Sequence, residues 1–172
     1  MSDRLRTAIR DVPDFPKPGI VFKDITPILA DGGLFRECIR LLTAPLTGTG
    51  VTKIVGIDAR GFIFAAAAAY EMGVGFIPIR KKGKLPWSTE SAAYKLEYGE
   101  ATVEIHTDAI APGEKVALID DVLATGGTAG AAVQLIRKCG GEIVLAEFVI
   151  ELGFLGGREK LAGTRTASLL IY

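Results

Sequence analysis

The sequence predicts an α/β domain with a central, mostly parallel sheet flanked by helices. Apolar runs of strand length alternate with helical patterns along the chain, and this order is typical of parallel βαβ units. The run at residues 115–119 is almost entirely apolar, which indicates a strand covered on both faces. A chain of 172 residues also has the length that one domain with a sizeable core requires. We therefore expect residues 1–172 to form a single domain.

Local spacing and helix-start signals place the individual elements. Residues 5–12 have the spacing of a short amphipathic helix, and three prolines between residues 13 and 18 hold the following chain extended. Asp31 is a predicted N-cap for a helix at residues 34–42, because its carboxylate can accept hydrogen bonds from unpaired N–H groups. The remaining strands are predicted at 53–57, 75–79, 115–119, 143–150 and 168–171, and the remaining helices at 61–71 and 128–138.

A polar segment interrupts this alternation between residues 80 and 104. Residues 93–98 and 101–105 have strand-like patterns on either side of Gly99, so we expect them to pair as a hairpin. A polar insertion of this size favours a lid or a binding loop over a plain connection. The predicted lid spans residues 81–106.

Composition excludes several classes of protein. Twenty Lys and Arg residues balance twenty Asp and Glu residues, which removes the excess positive charge that nucleic-acid binding requires. No segment approaches the roughly 18 unbroken apolar residues of a membrane span, and the charged N-terminal segment lacks a signal-peptide core. Cys38 and Cys139 are too few for a disulfide framework or a zinc site, so we expect two reduced thiols. We expect a cytoplasmic protein with no nucleic-acid or membrane partner.

The stretch VALIDDVLATGGT, residues 116–128, carries the clearest binding signal. We expect the strand to end at Ile119 and a turn to lead into the next helix, whose N-terminus attracts phosphate. Gly126 and Gly127 let the backbone approach an anion closely, and the flanking threonines add hydroxyl donors. The lysine of a Walker A loop is absent. The pattern therefore predicts a site for a single terminal phosphate.

Asp120 and Asp121 stand immediately before this turn. Two carboxylates beside a phosphate site would repel a free phosphate. The arrangement is favourable if the phosphate belongs to a sugar, because the carboxylates can accept hydrogen bonds from the sugar's vicinal hydroxyls. The alternative is that the two acids only cap the helix or form salt bridges.

Two further strand ends carry anion-binding candidates. Arg60 and Gly61 follow the strand at residues 53–57, where a guanidinium and helix N–H groups can hold an anion. The basic run RKKGK at residues 80–84 follows the next strand. Each could be only a surface charge, but ligands of parallel sheets bind beyond the carboxyl ends of strands, where all three candidates fall.

These residues resemble the type I phosphoribosyltransferase family. VALIDDVLATGGT is similar to the family signature, which joins a strand, two acids and a phosphate-binding turn. Five further segments resemble the adenine-specific branch of that family: FPKPGIVFKDITPIL (15–29), DARGFIF (58–64), IRKKGKLP (79–86), YKLEYG (94–99) and ELGFLGGREKL (151–161). The resemblance covers nearly the whole chain in the same order.

The resemblance implies both a fold and a reaction. The fold is the type I phosphoribosyltransferase fold, with a flexible lid hairpin and a small N-terminal hood at residues 1–33. The reaction converts adenine and 5-phosphoribosyl 1-pyrophosphate to AMP and pyrophosphate in purine salvage. Magnesium would arrive on the phosphoribosyl pyrophosphate, without direct protein ligands, and the enzyme would be a homodimer.

The resemblance also implies residue roles. The ribose 5-phosphate would contact Asp120, Asp121, Ala124, Thr125, Gly126, Gly127 and Thr128. The pyrophosphate would contact Ala59, Arg60, Arg80, Lys81 and Lys84, with a cis peptide bond between Asp58 and Ala59. Adenine would contact Val21, Phe22 and Lys23. Catalysis would use Glu97, Arg60, Asp120 and Asp121, with Glu97 transferring a proton on the purine or serving only lid structure, and Tyr98 would lie on the lid.

Two other functions remain open at the level of sequence. One is a phosphoribosyltransferase for another base, such as hypoxanthine, xanthine or orotate. The other is a non-catalytic regulator that senses phosphoribosyl pyrophosphate. The segment at residues 15–29 favours adenine, and a regulator is expected to carry a DNA-binding segment or to lack the lid.

Overall fold

A computed structural model describes residues 3–95 and 100–172 of the chain. The elements, in chain order, are α1 (Asp3–Ala8), β1 (Arg10–Pro13), β2 (Val21–Asp24), α2 (Thr26–Ala30), α3 (Gly32–Thr43), β3 (Lys53–Ile57), α4 (Gly61–Met72), β4 (Gly75–Lys81), β5 (Thr89–Lys95), β6 (Glu100–His106), β7 (Lys115–Leu123), α5 (Gly127–Lys138), β8 (Glu142–Glu151) and β9 (Thr166–Ile171). Short 3₁₀ helices lie at Ala44–Leu46, Gly153–Leu155 and Gly157–Leu161.

Within these ranges, seven strands form a central sheet in the order β5-β6-β4-β3-β7-β8-β9. The strands from β4 to β9 in that order are parallel, whereas β6 runs antiparallel to both β4 and β5. Successive residues of β3 point to opposite faces, as a pleated strand requires. Ile54 packs in a core with α3 and α4, and Val55 in a second core with α5. The predicted mostly parallel sheet flanked by helices is therefore confirmed.

The strand that carries the two acids is longer than predicted. The prediction ended it at Ile119, but β7 continues to Leu123 because β8 pairs with it throughout, with Asp120 opposite Phe148 and Leu123 opposite Glu151. Asp120 and Asp121 therefore lie on the strand, and the turn before α5 is only Ala124 to Gly126. Backbone pairing along β8 holds both acids more rigidly than a turn would.

The N-terminal helix is shorter than predicted. The prediction of a helix at residues 5–12 is wrong beyond Ala8, because residues 10–13 form β1 and pair antiparallel with β2. In this two-stranded ribbon Val12 lies opposite Phe22, and the Phe15 and Phe22 rings meet edge to face with centroids 5.3 Å apart. The ribbon brings Phe22 to the edge of the main sheet.

The predicted hairpin is confirmed by the antiparallel pairing of β5 with β6. Both strands begin earlier than predicted, at Thr89 and Glu100, and β6 joins the hairpin to the main sheet through β4. Residues 96–99 lie outside the described residues, so the catalytic prediction for Glu97 and the lid prediction for Tyr98 fall outside them too.

The predicted cap of α3 is confirmed. Asp31 Oδ1 accepts hydrogen bonds from the N–H groups of Gly33 and Leu34 at 2.8 and 2.9 Å, and the helix begins two residues earlier than predicted. Both cysteines are free thiols, as predicted, and burial raises the pKa of Cys38 to about 12. In the part of the chain that the structure describes, no helix is long and apolar enough to cross a membrane.

Candidate active site

A cavity of about 530 Å³ opens where β3 and β7 end. This is the edge at which open parallel sheets bind ligands. Four groups of residues line it: the start of the β1–β2 ribbon (Ile20, Val21, Phe22, Lys23), the β3–α4 turn (Ile57, Asp58, Ala59, Arg60), the β7–α5 connection (residues 120–129), and the single side chains Lys81 and Leu152. Most of the predicted site residues are therefore brought together in one place.

The β7–α5 connection forms one wall of the cavity. Gly126, the residue before α5, has a φ of 75°, a left-handed conformation that glycine adopts without strain. The first turn of α5 follows directly, and its N–H groups have no partners within the helix. All five predicted phosphate-binding residues, Ala124 to Thr128, line the cavity. This wall can hold an anion with backbone donors and threonine hydroxyls.

The two acids at the end of β7 have different surroundings. Asp120 is buried, its Oδ1 accepts the N–H of Asp121 at 2.9 Å, and burial together with the neighbouring Asp121 charge raises its pKa well above the usual value. Asp121 is also buried, but its Oδ2 accepts a hydrogen bond from Arg60 Nε and forms an ion pair with it. Asp121 therefore carries a compensated charge at the cavity wall, whereas Asp120 favours its protonated form.

Arg60 connects three walls of the cavity. It lies at the start of α4, pairs with Asp121 on β7, and places its guanidinium carbon 5.5 Å from the ring centroid of Phe22. The next residue, Gly61, has no space for a side chain, since a Cβ there would lie 2.2 Å from Asp120 Oδ1. The peptide bond between Asp58 and Ala59 is cis, as the family resemblance implied.

The three basic residues predicted at the end of β4 and just after it, Arg80, Lys81 and Lys84, do not all face the cavity. Lys81 lines it, whereas Arg80 and Lys84 are directed to Asp58, with Nε and Nζ at 3.5 and 3.9 Å from Asp58 Oδ2. Arg80 Nη1 also donates to the carbonyl of Lys84 at 3.2 Å. Asp58 lines the cavity and was missed by sequence reasoning, although its position beside Ala59 at a strand end was a usable signal.

The part of the cavity beside β2 carries apolar side chains. Val21, Phe22 and Lys23 line it, as predicted, but the Lys23 ammonium group turns to Asp11, at 2.6 Å, and to the ring of Tyr172. The backbone of Lys23 therefore remains as its contribution to a ligand. Ile20, Leu123 and Leu152 also line the cavity and were not predicted, because no local pattern distinguishes them from core residues.

Comparison with known proteins agrees with this geometry. A family model described as "Phosphoribosyl transferase domain" matches residues 28–153, which include the Arg60 turn, the strands β5 and β6, and the β7–α5 connection. The chain therefore belongs to the phosphoribosyltransferase class.

Individual relatives narrow the class. The chain is 53% identical to an adenine phosphoribosyltransferase of Methylococcus capsulatus over 99% of each chain, and 55% identical to that of Geobacter metallireducens over the same shares. A crystal structure of adenine phosphoribosyltransferase from Rhodothermus marinus superposes with a TM-score of 0.93 at 49% identity, covering 99% of this chain and 97% of that one. The enzyme from Saccharomyces cerevisiae, crystallised with an imino-altritol bisphosphate and adenine, gives 0.93 at 39% identity over 97% of each chain. The chain belongs to the adenine phosphoribosyltransferase family.

Proposed function

We propose that this protein is a pentosyltransferase that converts adenine and 5-phosphoribosyl 1-pyrophosphate to AMP and pyrophosphate, as a step of purine salvage. The observation that carries the proposal is the meeting, in one cavity, of a phosphate-binding turn, two carboxylates and an arginine. A sugar phosphate with a charged leaving group requires all three. Membership of the family supplies the choice of adenine as the base.

The proposed substrate position follows the cavity walls. The 5′-phosphate lies against Ala124, Thr125, Gly126, Gly127 and Thr128, which offer N–H and hydroxyl donors. The ribose hydroxyls donate to Asp121 and Asp120. The pyrophosphate lies against the Ala59–Arg60 turn and Lys81, while Arg80 and Lys84 act beside it by neutralising Asp58. Adenine occupies the part beside β2, against Val21, Phe22 and the backbone of Lys23.

The proposed chemistry is electrostatic. Loss of pyrophosphate leaves positive charge on the ribose ring, which the Asp121 carboxylate stabilises once Arg60 moves from it to the departing pyrophosphate. Lys81 stabilises the same departing charge. Glu97 is our candidate for transferring the purine proton, and closure of the lid, which carries Tyr98, would exclude the water that hydrolyses the sugar donor.

Magnesium fits this site as a cation that the substrate carries. The carboxylates of Asp58 and Asp121 line the cavity, and carboxylate oxygen is a ligand that Mg²⁺ prefers. Mg²⁺ commonly binds through one or two carboxylates together with substrate phosphates, keeping several waters. When bound, it would neutralise charge on the pyrophosphate; among residues 3–95 and 100–172, no group of three or more metal-ligating side chains forms a separate cage.

The proposal also includes a cytoplasmic homodimer. Ile63 and Tyr70 lie seven residues apart on one face of α4, and both side chains are exposed, Tyr70 by 90%. Exposed apolar surface of this kind favours a second copy of the chain as its partner. Two free thiols suit a reducing compartment. Sedimentation over a range of protein concentrations tests the dimer, and a monomer at every concentration would contradict it.

The test of the function is a panel of bases. The protein is mixed with Mg²⁺, phosphoribosyl pyrophosphate and adenine, hypoxanthine, xanthine or orotate in turn, and nucleotide and pyrophosphate are measured. We expect adenine to give the highest kcat/KM. A faster reaction with another base would contradict the proposal and identify a phosphoribosyltransferase for that base. Binding of phosphoribosyl pyrophosphate without turnover would identify a non-catalytic regulator. Control reactions without any base measure hydrolysis of the donor.

A further inference from the structure

We propose that Arg158 is a positioning residue for the phosphate-binding turn, acting through Glu151 and the backbone of Gly157. Arg158 lies outside the cavity, on the short 3₁₀ helix Gly157–Leu161. The inference deepens the proposed function, on which it rests for the identity of the phosphate ligand. Three observations carry it: a tight backbone contact, an anchored side chain and the position of the anchor.

The first observation is the contact between two glycines. A Cβ on Gly157 would lie 2.2 Å from the carbonyl oxygen of Ala124, and a Cβ on Gly126 would lie 2.2 Å from the carbonyl oxygen of Gly157. The two backbones therefore touch with no space for a methyl group on either side. Ala124 and Gly126 belong to the phosphate-binding turn. A shift of the Gly157 backbone would therefore push on this turn or leave it without support.

The second observation is the anchoring of the residue after Gly157. Arg158 donates from Nε and Nη2 to the two carboxylate oxygens of Glu151 at 2.6 and 2.7 Å, and from Nη1 to the carbonyl of Thr166 at 2.9 Å. Ser168 Oγ donates to Glu151 at 2.6 Å. The fork of an arginine fixes direction as well as distance. The 3₁₀ helix is thus held against β8 and β9.

The third observation is where the anchor stands. Glu151 is the last residue of β8, its side chain is 8% exposed, and it lies opposite Leu123, the last residue of β7 before the turn. The hydrogen bonds from Arg158 lower the pKa of Glu151, so the carboxylate stays charged at neutral pH. The turn at Ala124 to Gly126 therefore follows β7, and the neighbouring strand β8 supports it through Arg158 and Gly157.

An ion pair that only stabilises the fold would have the same geometry. The test therefore measures KM separately for phosphoribosyl pyrophosphate and for adenine. Arg158→Ala is expected to raise KM for phosphoribosyl pyrophosphate by roughly 10- to 100-fold, as small misplacements of a binding group do. KM for adenine is expected to change by less than about twofold, since the proposed adenine contacts at Val21, Phe22 and Lys23 belong to β2 and not to the turn. Arg158→Lys, which keeps the charge but loses the fork, is expected to fall between.

Arg137→Ala is the matched control. Arg137 on α5 holds the segment just before β9, through the carbonyl of Gly163 and the hydroxyl of Thr164, and neither partner belongs to the turn. We expect it to lower the melting temperature while leaving KM for phosphoribosyl pyrophosphate unchanged. If Arg137→Ala and Arg158→Ala raise this KM equally, or if neither raises it, the positioning role is contradicted.

Calorimetric titration of ribose 5-phosphate provides a readout without turnover. The wild-type protein is expected to bind it, and Arg158→Ala and Glu151→Gln are expected to weaken binding together, with a double variant no weaker than Arg158→Ala alone, because both act through one contact. Equal binding by wild type and variants overturns the inference and leaves the proposed function intact. Absence of binding in the wild type counts against the proposed function itself. Glu151→Gln and Arg158→Lys keep the test available if Arg158→Ala does not fold.

Discussion

Asp120, Asp121 and Arg60 limit the negative charge that stands beside the phosphate-binding turn. Burial and the adjacent charge raise the pKa of Asp120, and Arg60 compensates Asp121. The raised pKa of Asp120 and the ion pair of Asp121 thus both reduce the negative charge that faces an arriving substrate. In the proposed mechanism, Arg60 would move to the pyrophosphate, and the carboxylate of Asp121 would become available to the ribose as positive charge develops there.

Removing both carboxylates tests this assignment. Asp120→Asn combined with Asp121→Asn keeps the size of both side chains and is expected to reduce kcat by about 10²-fold or more. The fold is expected to survive, because asparagine retains an acceptor for the N–H of residue 121. Steady-state kinetics and circular dichroism measure the two effects. A near-normal kcat would show that the acids are only structural.

Gly61 gives a second prediction at this scale. Gly61→Ala is expected to displace the Asp120 carboxylate, because the new Cβ would lie 2.2 Å from Oδ1, and to destabilise the protein by about 1–3 kcal/mol. The kcat is expected to fall with it. Gly32→Ala, at the start of α3, is the control, since a Cβ there would meet no atom within 4 Å apart from its own chain neighbours and the helix backbone next to it. Urea unfolding and kinetics of both variants measure the difference; equal effects would contradict the steric explanation.

Local chemistry made one wall of the cavity predictable and left the rest hidden. A turn with two glycines between a strand and a helix is specified by neighbouring residues, so the sequence indicated that Ala124 to Thr128 line a site, and their phosphate-binding role stays a prediction. Leu152 reaches the same cavity from the position just after β8, and nothing near it in the sequence marks it. The turning of Arg80 and Lys84 to Asp58 also depends on contacts distant in the chain.

At the scale of elements, predictions failed where an element depends on a partner. The alternation of helices and strands and the cap at Asp31 are local properties, and both are confirmed. The extension of β7 to Leu123 depends on β8, and the strand β1 depends on β2. Neither partner strand could be identified from spacing alone. The prediction therefore made β7 too short and assigned the residues of β1 to a helix.

Glu104 joins two elements of the lid region. It is buried on β6, accepts the N–H of Gly83 at 2.9 Å, and accepts the hydroxyl of Ser91 on β5 at 3.3 Å. Glu104→Ala is expected to cost about 1–3 kcal/mol by leaving the Gly83 N–H without its partner, and to raise KM for phosphoribosyl pyrophosphate because Lys81 adjoins that turn. Ser91→Ala, which removes only the longer bond, is expected to have little effect. Thermal unfolding and kinetics measure both, and equivalent behaviour of the two variants would contradict the explanation.

At the scale of the whole molecule, one acid lies within the core and couples stability to pH. Glu147, in the middle of β8, is 2% exposed, and its Oε2 has no hydrogen-bond partner among the described residues. Burial raises its pKa to about 8, although the charge of Arg165 acts in the opposite direction. Cys38 on α3 feels the Glu147 charge from the neighbouring layer. The folded protein therefore keeps a proton on Glu147 at pH values where the unfolded chain has lost it.

The sign of the resulting pH dependence follows from proton binding. Between about pH 4.5 and pH 8 the folded state binds the Glu147 proton more tightly than the unfolded state, so the free energy of unfolding falls as pH rises, by at most about 1.4 kcal/mol per pH unit. The contribution is fully present below about pH 4.5 and is lost by about pH 8. Asp120 acts in the same direction, so the wild type alone cannot isolate Glu147.

The variant Glu147→Gln separates the contribution of Glu147 from that of Asp120, because glutamine is neutral at every pH and has nearly the same size as glutamate. We expect the variant to lose part of the pH dependence, and its stability relative to wild type to increase steadily from pH 5.5 to pH 8.5. Urea unfolding at each pH measures the difference. Glu142→Gln, the same change at an exposed position of β8, is expected to differ from wild type by a constant amount over this range. Parallel curves for Glu147→Gln and wild type would show that Glu147 is ionised in the folded protein, and that the core holds a charge that burial should have neutralised.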